Sequence, residues 1–428
     1  MLLVIIAFVV FLLIGMPIAF AIGISGMLFF LQHPELPITI PIQRTVTETQ
    51  NFALLAIPLF ILAGNFLNHS GITHNLLKLA TVITGRMRGG LAQVSVALAT
   101  LMSGVTGSAI ADAAMNARVL GDQMLKRGFS RGYTAGILSY GALIAPVIPP
   151  GIGFILYGTI GQVSIGRLFA AGILPGLMIW AALATAISIT ARKRGYAPER
   201  EHAPSVKEVA SASLAGIWAI LFPIALLFGL RMGMFTPSEI GAFAVVYAVV
   251  IGLFVYRMLT RAGMREALEG SIVDIGAVMF LITLSAIFGY GIVFERIPEV
   301  ISEGMLRLTD DPELVMALIV AFLLVAGTFV DASVLIIMLT PIFLPLVRKY
   351  GVDPVHFGVV FIVAATIGNF TPPVGAAMFV VCQIIRCPIG EYTRESMPFL
   401  IAVAAVAFLL IFVPATVLLV PNWLFGAY

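Results

Sequence analysis

The stretch Ser103-Gly-Val-Thr-Gly-Ser-Ala-Ile-Ala-Asp112 decides the fold, because it is small and polar inside a chain that is otherwise apolar. Further along, Ala145-Pro-Val-Ile-Pro-Pro-Gly151 predicts a helix that is broken by prolines. Both features have a second copy 223 positions later, in Gly327-Thr-Phe-Val-Asp-Ala-Ser333 and in the pair Pro372-Pro373. Repeated helix breaks with polar residues in a membrane protein predict a binding site where the two repeats meet.

The composition is that of a membrane protein with many spans. Of the 428 residues, 60% are hydrophobic and only 11% are charged, and the mean hydropathy is +1.08. Soluble domains carry roughly 25% charged residues. With about 20 apolar residues in each span, the chain has room for roughly ten to twelve crossings of a lipid bilayer. We therefore expect an all-α polytopic membrane protein.

Several classes of function are excluded. The net charge of +3 gives no reason to expect nucleic acid as a partner, because the basic residues lie in loops. Cys382 and Cys387 form no disulfide framework or metal motif. The sequence contains no P-loop, no G-x-S-x-G and no H-E-x-x-H motif. Neither ATP hydrolysis nor enzymatic catalysis is expected, so an ion gradient or another subunit must supply the energy for any transport.

The positions of the basic residues predict the topology. Lys and Arg flank residues 91–125 on both sides, and short basic loops stay in the cytoplasm. Each apolar half of this segment is too short to cross, so we expect a re-entrant hairpin. A second hairpin, 313–348, is predicted to open on the opposite side. Residues 2–30 are interpreted as one helix running outward, which puts the N-terminus in the cytoplasm and the C-terminus outside.

The predicted domains follow from this inverted repeat. Two opposed hairpins and two broken helices form the transport halves, and the remaining helices form a scaffold. The expected ranges are 1–84 (scaffold helices of repeat 1), 85–191 (transport half 1, with hairpin 91–125 and broken helix 133–158), 192–213 (cytoplasmic linker), 214–296 (connecting and scaffold helices) and 297–428 (transport half 2, with hairpin 313–348 and broken helix 356–382).

The broken helices are candidate cation sites, because a helix break frees carbonyl oxygens that carry partial negative charge. These oxygens and nearby hydroxyls suit two Na⁺ ions, one in each repeat. The candidates in repeat 1 are Thr106, Ser108, Ala145, Ile148 and Pro150, and those in repeat 2 are Gly327, Gly368, Thr371 and Val374. Ser103 and Thr328 are candidate contacts for the transported solute. The alternative is that these small residues only allow helices to pack closely.

Two carboxylates stand out. Asp112 and Asp331 follow the two hairpin tips, and a carboxylate in a membrane segment is a functional candidate by default. Ion-site support, proton sensing and substrate contact are the possible roles. Capping of the following helix is the alternative, more so for Asp331 than for Asp112. Glu239, Asp274 and Arg231 are interpreted as interfacial residues at span ends.

Together these motifs, with Asn51-Phe-Ala-Leu-Leu-Ala-Ile-Pro-Leu-Phe60 and Thr371-Pro-Pro-Val-Gly375, resemble the large membrane subunit of tripartite ATP-independent periplasmic (TRAP) transporters, the DctM-like family. The resemblance covers essentially the whole chain. It implies a Na⁺-driven uptake system of the bacterial or archaeal inner membrane that moves by an elevator mechanism. The family's two Na⁺ sites fall on the candidate residues given above, and Asp112 matches an aspartate that is important for transport.

The resemblance also implies partners and a class of substrate. A periplasmic solute-binding protein delivers the solute, and a small four-helix membrane subunit, expected here as a separate chain, enlarges the scaffold. The solute is expected to be a small carboxylate, such as a C4-dicarboxylate, sialic acid or another sugar acid. A stand-alone carboxylate symporter or exchanger remains the alternative. A channel or an intramembrane enzyme is disfavoured, because no histidine lies near Asp112 or Ser108 in the sequence.

Overall fold

A computed structural model describes residues 1–372 and 374–426. Within these residues the chain is helical and contains no β-strand. The helices are α1 (Leu2–Leu13), α2 (Ile18–Gln32), α3 (Thr39–Thr49), α4 (Ala56–His69), α5 (Ile72–Thr84), α6 (Leu91–Thr106), α7 (Ala109–Lys126), α8 (Arg131–Ala142), α9 (Ile152–Gly161), α10 (Ile165–Arg194), α11 (Val206–Arg231), α12 (Pro237–Val250), α13 (Arg261–Phe294), α14 (Ile297–Leu306), α15 (Pro312–Ala326), α16 (Ala332–Lys349), α17 (Pro354–Asn369), α18 (Ala376–Ile385), α19 (Ile389–Phe412) and α20 (Ala415–Phe425).

The first apolar segment folds back on itself, so the prediction of one helix over residues 2–30 is wrong. Gly15 adopts a left-handed φ of 83° and Pro17 starts a new helix, which separates α1 from α2. The Met1 ammonium lies 3.4 Å from Glu295 Oε1, and His33 Nε2 lies 3.2 Å from the same oxygen. Met1 and His33 are therefore at the same end of the protein. The predicted cytoplasmic N-terminus assumed a single crossing here, and that premise does not hold.

The two predicted hairpins are present as α6–α7 (hairpin 1) and α15–α16 (hairpin 2). Helix α16 begins and ends 223 positions after α7. The broken helices follow as α8 and α9 in repeat 1 and as α17 and α18 in repeat 2, and α17 begins 223 positions after α8. After the breaks the offset is 224, because α18 starts at Ala376 and α9 at Ile152. Pro373, half of the second proline pair, lies outside the described residues.

The long spans are fewer than the composition alone suggests. Seven helices of the described residues are long and apolar enough to cross a membrane. One of the seven is the hairpin arm α16, whereas the first arms α6 and α15 and the broken-helix pieces α9, α17 and α18 are shorter apolar helices. Both ends of α5 lie near basic segments. Before it, His69 lies 3.8 Å from Glu266, next to the basic loop 257–265, and after it the Gly85 carbonyl accepts the backbone N–H groups of Glu199 and Arg200 in the linker 192–213.

The basic loops lie at one end of the molecule, as predicted by the rule that short basic loops stay on one side of the membrane. Arg127 Nη2 lies 2.7 Å from Glu199 Oε1, and Arg194 Nη1 lies 2.8 Å from Glu395 Oε2. Arg131 donates to the Arg386 carbonyl at 3.3 Å. These contacts join the loops after α7, α10 and α18, so the three loops share one side of the membrane. The outward faces of α1, α11 and α13 expose many large apolar side chains, which suits contact with lipid.

Candidate functional site

The tip of hairpin 1 lies against the break between α8 and α9. Helix α6 ends at Thr106, and the residue that follows it, Gly107, has a left-handed φ of 61°. A β-carbon on Gly107 would lie 2.4 Å from the Pro150 carbonyl oxygen, so the approach requires glycine. The Gly107 carbonyl accepts the Ile152 N–H at 3.4 Å. The structure therefore brings Thr106 and Ser108 beside Pro150, three of the residues predicted for the first ion site.

The tip of hairpin 2 is held in the matching way. The Thr328 carbonyl accepts the Gly375 N–H at 2.8 Å, which joins the tip to the start of α18. A β-carbon on Gly368 would lie 2.4 Å from Gly327 Cα, so the two backbones are in direct contact. Thr371 lies just after the end of α17, and its N–H donates to the Gly368 carbonyl at 2.9 Å. Predicted residues of the second ion site thus meet at this tip.

A cavity of about 440 Å³, which we call the central cavity, lies between the two tips. Its walls come from both repeats and from two scaffold helices. The lining residues are Ile61, Gly64, Asn65 and Asn68 of α4; residues 106–111 and Ala114 of hairpin 1; Pro146, Ile152 and Gly153; Asp274, Ala277 and Val278 of α13; residues 331–333 and Ile336 of hairpin 2; and Ile362, Thr366 and Asn369 of α17. Among the residues that the structure describes, this lining contains two carboxylates and no Lys, Arg or His.

Three helix N-termini converge on this cavity. The first turn of α7, the start of α9 and the start of α16 all contribute to its lining. Ser108 precedes α7 but makes no side-chain capping hydrogen bond, and Gly151 before α9 has no side chain that could cap the helix. Backbone N–H groups and the partial positive charge at helix N-termini favour anions. The cavity can therefore receive a carboxylate group although no basic side chain lines it.

Asp112 is buried next to the cavity rather than in its wall. Its side chain is 0% exposed. One carboxylate oxygen, Oδ2, accepts the Asn116 amide at 3.1 Å from one turn further along α7. The other, Oδ1, is buried and makes no hydrogen bond of regular length among the described residues, although the Thr106 side chain lies close enough to interact with the carboxylate. A buried carboxylate oxygen without a regular hydrogen bond is costly, so this position suits a cation or a proton.

Asp331 does cap a helix. Its Oδ1 accepts the Ser333 N–H at 2.8 Å at the start of α16, and its Oδ2 accepts the Asn369 amide at 3.0 Å. The helix-capping role that the sequence offered as the alternative for Asp331 is thus observed. Since Asp331 also lines the cavity, capping does not exclude a role in binding.

The other predicted residues lie outside the cavity lining. Ser103 is fully buried and donates to the Thr100 carbonyl at 2.5 Å. Thr328 donates to the Val325 carbonyl at 2.8 Å. The residues Ala145, Ile148, Gly327, Gly368, Thr371 and Val374 belong to the breaks and tips around it, as does Asp112 in α7.

Sequence reasoning missed several polar side chains of the site. Asp274 is not at a span end, because α13 begins at Arg261 and carries it into the cavity wall. Its Oδ2 accepts the Asn65 amide at 3.3 Å. Asn369 and Asn116 hold the two predicted aspartates. The spacing of Asn116, four residues after Asp112, could have indicated the pair, whereas the contact of Asn369 with Asp331 had no local signal.

Comparison with known proteins agrees with this architecture. A family model described as "Tripartite ATP-independent periplasmic transporter, DctM component" matches residues 5–416. The crystal structure of the YdaH transporter of Alcanivorax borkumensis superposes with a TM-score of 0.65 over 90% of this chain and 89% of that chain, at 14% sequence identity. That likeness concerns the fold alone.

Curated relatives cover the chain almost completely. The chain is 32% identical to the 2,3-diketo-L-gulonate TRAP transporter large permease protein YiaN of Escherichia coli (strain K12), over 96% of each chain. Identity and coverage are the same, 32% and 96% of each chain, with the sialic acid large permease SiaM of Vibrio cholerae and with the C4-dicarboxylate large permease DctM of Rhodobacter capsulatus. These relatives are permease subunits, as expected of a chain without enzyme motifs. The chain belongs to the DctM component family of tripartite ATP-independent periplasmic transporters.

Proposed function

We propose that this large permease catalyses Na⁺-coupled uptake of a small carboxylate, by symport across the inner membrane. The observation that carries the proposal is the charge of the central cavity. In the described part of the chain, two carboxylates line it, a third is buried beside it, and no basic side chain faces it. A carboxylate solute would add further negative charge. Cations must accompany it, because uncompensated charge is expensive at membrane depth.

The residues of the two tips fit hard cations. Thr106 and Ser108 at the Pro150 turn would hold one Na⁺ with the carbonyls of Ala145, Ile148 and Pro150. Gly327 and Gly368 with Thr371 and Val374 would hold the other. Hydroxyl and carbonyl oxygens are suitable ligands for such ions, and the fully buried Asp112 carboxylate, whose Oδ1 makes no hydrogen bond of regular length among the described residues, supports a need for positive charge nearby.

The packing supports an elevator movement. Each hairpin tip is hydrogen-bonded to the broken helix of its own repeat. Tyr140 of α8 and Tyr392 of α19 both donate to the Phe370 carbonyl, at 3.2 and 2.8 Å, which ties the two repeats together. Asn65 of α4 and Asp274 of α13 face this body across the cavity. We propose that the hairpins and broken helices move as one transport body against those scaffold helices.

Family membership implies a small membrane subunit and a periplasmic binding protein as partners. We propose that both act with this chain as separate proteins, and that the solute is selected largely by the binding protein. The named substrates of the relatives, 2,3-diketo-L-gulonate, sialic acid and C4-dicarboxylates, define the class to be tested. We propose that the linker 192–213 lies in the cytoplasm, since basic loops favour that side of the membrane.

The test is uptake by liposomes that contain this chain and the small subunit, with the binding protein outside. N-acetylneuraminate, succinate and 2,3-diketo-L-gulonate are offered under an inward Na⁺ gradient. We expect accumulation of one of them, and loss of accumulation when K⁺ replaces Na⁺. Equal accumulation in K⁺ would refute the sodium coupling. Full uptake without binding protein would favour a stand-alone symporter.

A further inference from the structure

A second cavity, of about 390 Å³, lies at the other end of α13 from the basic loop 257–265. Much of its wall is apolar, with Ile160 of α9 and Ile337 of α16 among the lining residues. Its charged residues are Arg44 and Glu48 of α3. By the positive-inside rule this end faces away from the cytoplasm. We call it the outer cavity.

The outer cavity and the central cavity lie along the same three helices, α9, α13 and α16. On α13, Asp274 and Val278 line the central cavity, while Ile282, Ser285 and Gly289 line the outer one. Steps of three or four residues keep these positions on one face of the helix. Helix α16 contributes Ile336 to the central cavity and its neighbour Ile337 to the outer cavity. The two cavities are therefore successive sections along one face of α13.

Arg44 is an exposed cation at the outer cavity. Its guanidinium carbon lies 5.2 Å from the centre of the Tyr290 ring, an arrangement that orients the group while leaving its N–H edges available. None of the ion pairs among the described residues involves Arg44. The guanidinium fork matches a carboxylate in geometry. The outer cavity thus has the basic side chain that the central cavity lacks.

We propose that the outer cavity is a first binding site for the solute on its way to the central cavity, with Arg44 receiving the carboxylate. This inference rests on the proposed function. Glu48, one helical turn after Arg44, narrows the class of solute. A second carboxylate would meet Glu48 and be repelled, whereas a hydroxyl could donate to it. Among the solutes that the binding protein delivers, the outer cavity therefore favours hydroxylated monocarboxylates, such as sugar acids, over compact dicarboxylates.

The first experiment measures anion attraction without transport. Ala286, which lines the outer cavity, is changed to Cys in the complex with the small subunit, after Cys382 and Cys387 have been replaced by Ser. Labelling rates are compared for a sulfonate-bearing and a trimethylammonium-bearing methanethiosulfonate reagent. Arg44→Gln should lower the ratio of the anionic to the cationic rate about fivefold or more. The matched control is Arg307→Gln, an exposed cation outside the cavity. An equal ratio in both variants would overturn the proposal.

The second experiment identifies the occupant. Gluconate should slow labelling of the Ala286→Cys variant at lower concentration than succinate does, and Arg44→Gln should remove this protection. Stronger protection by succinate would overturn the solute class. Protection by phosphatidylglycerol in nanodiscs, with none by either acid, would identify a lipid site instead and overturn the proposal.

Transport separates this inference from the function on which it rests. If wild-type liposomes show no Na⁺-driven uptake of any acid tested, the proposed function fails, although the labelling result still stands by itself. If they do transport, Arg44→Gln should raise KM about tenfold, because one charge-assisted hydrogen-bonding group is lost. Vmax should change less than about twofold, since the central cavity is intact. An unchanged KM would overturn the outer site.

Discussion

The two hairpin tips share a backbone and differ in chemistry. In register, Asp331 is the counterpart of Ser108, since both precede the second arm of their hairpin and lie 223 positions apart. The counterpart of Asp112 is Leu335. Hairpin 2 thus carries its carboxylate at the helix cap, where it bonds Asn369 of another helix. Hairpin 1 leaves the helix start uncapped and buries its carboxylate one turn later, against Asn116 of the same helix.

This difference indicates that the two hairpin tips contribute unequally to anion binding and cation binding, which two identical tips would share equally. The uncapped start of α7 leaves N–H groups for an anion, while the capped start of α16 is already neutralised by Asp331. We therefore expect the solute carboxylate to bind nearer to hairpin 1, and hairpin 2 to contribute mainly to cation binding.

The largest effect is expected at Asp112. Asp112→Ala removes a buried carboxylate and leaves the Asn116 amide without its acceptor, so Na⁺-driven uptake should fall about 100-fold or more while expression is retained. The measurement is initial uptake per milligram of reconstituted protein. Asp122→Ala, an exposed position on the same helix, is the matched control. Near-normal uptake by Asp112→Ala would remove this residue from the site.

Glycines in register should respond differently to alanine. A β-carbon on Gly327 would lie 2.7 Å from the Ala365 carbonyl oxygen and 2.9 Å from Gly368 Cα, both backbone atoms. Its counterpart Gly104 would meet the Pro223 ring at 3.1 Å. Gly327→Ala should cost about 1–3 kcal/mol of stability and Gly104→Ala less. Thermal unfolding in detergent measures this, with Gly304→Ala, which meets nothing within 4 Å, as control. Equal losses at Gly327 and Gly104 would contradict the asymmetry.

Asp331→Ser gives hairpin 2 the residue type that stands at the equivalent position of hairpin 1, Ser108. Serine is as good an N-cap as aspartate, so the fold should persist. The Na⁺ concentration for half-maximal uptake should rise about tenfold, because a carboxylate is lost from the cavity. Asp311→Ser provides the control, since Asp311 caps α15 in the same way, through the Glu313 N–H at 2.9 Å, but lies outside the cavity. An unchanged Na⁺ dependence would show that Asp331 serves only as the N-cap of α16.

The smallest effect is expected far from both tips, at His33. Its hydrogen bond to Glu35, at 2.7 Å, and a weaker one to Glu295 raise the pKa of His33 above its usual value of 6.5. The stabilisation is complete below pH 6.5 and is lost as the pH rises through the raised pKa. Thermal stability should therefore decline slightly between neutral and alkaline pH, and His33→Gln should remove that decline. A decline of the same size in the variant would assign it to other groups.

The sequence predicted most of the architecture because its signals were local and duplicated. Two proline breaks and two small-residue tips at one offset predict a repeat of hairpins, and the placement of the basic residues predicts that the repeat is inverted. The fold-back at Gly15–Pro17 was missed because apolar composition outweighed a single Gly and Pro. Asp274 was placed at a span end because hydropathy marks where the apolar run begins, whereas α13 starts earlier, in the polar loop. The Asp331–Asn369 contact depends on tertiary packing that no local pattern encodes.

The backbone hydrogen bonds from Ile152 to the Gly107 carbonyl and from Gly375 to the Thr328 carbonyl have a consequence for gating. A hairpin anchored in this way cannot swing open on its own without breaking that bond and separating closely packed glycine backbones. Neither tip is suited to act as a hinged door over the solute. Access to the two sides of the membrane would instead alternate by displacement of the intact body, so cross-linking a tip to its own broken helix should leave uptake unimpaired.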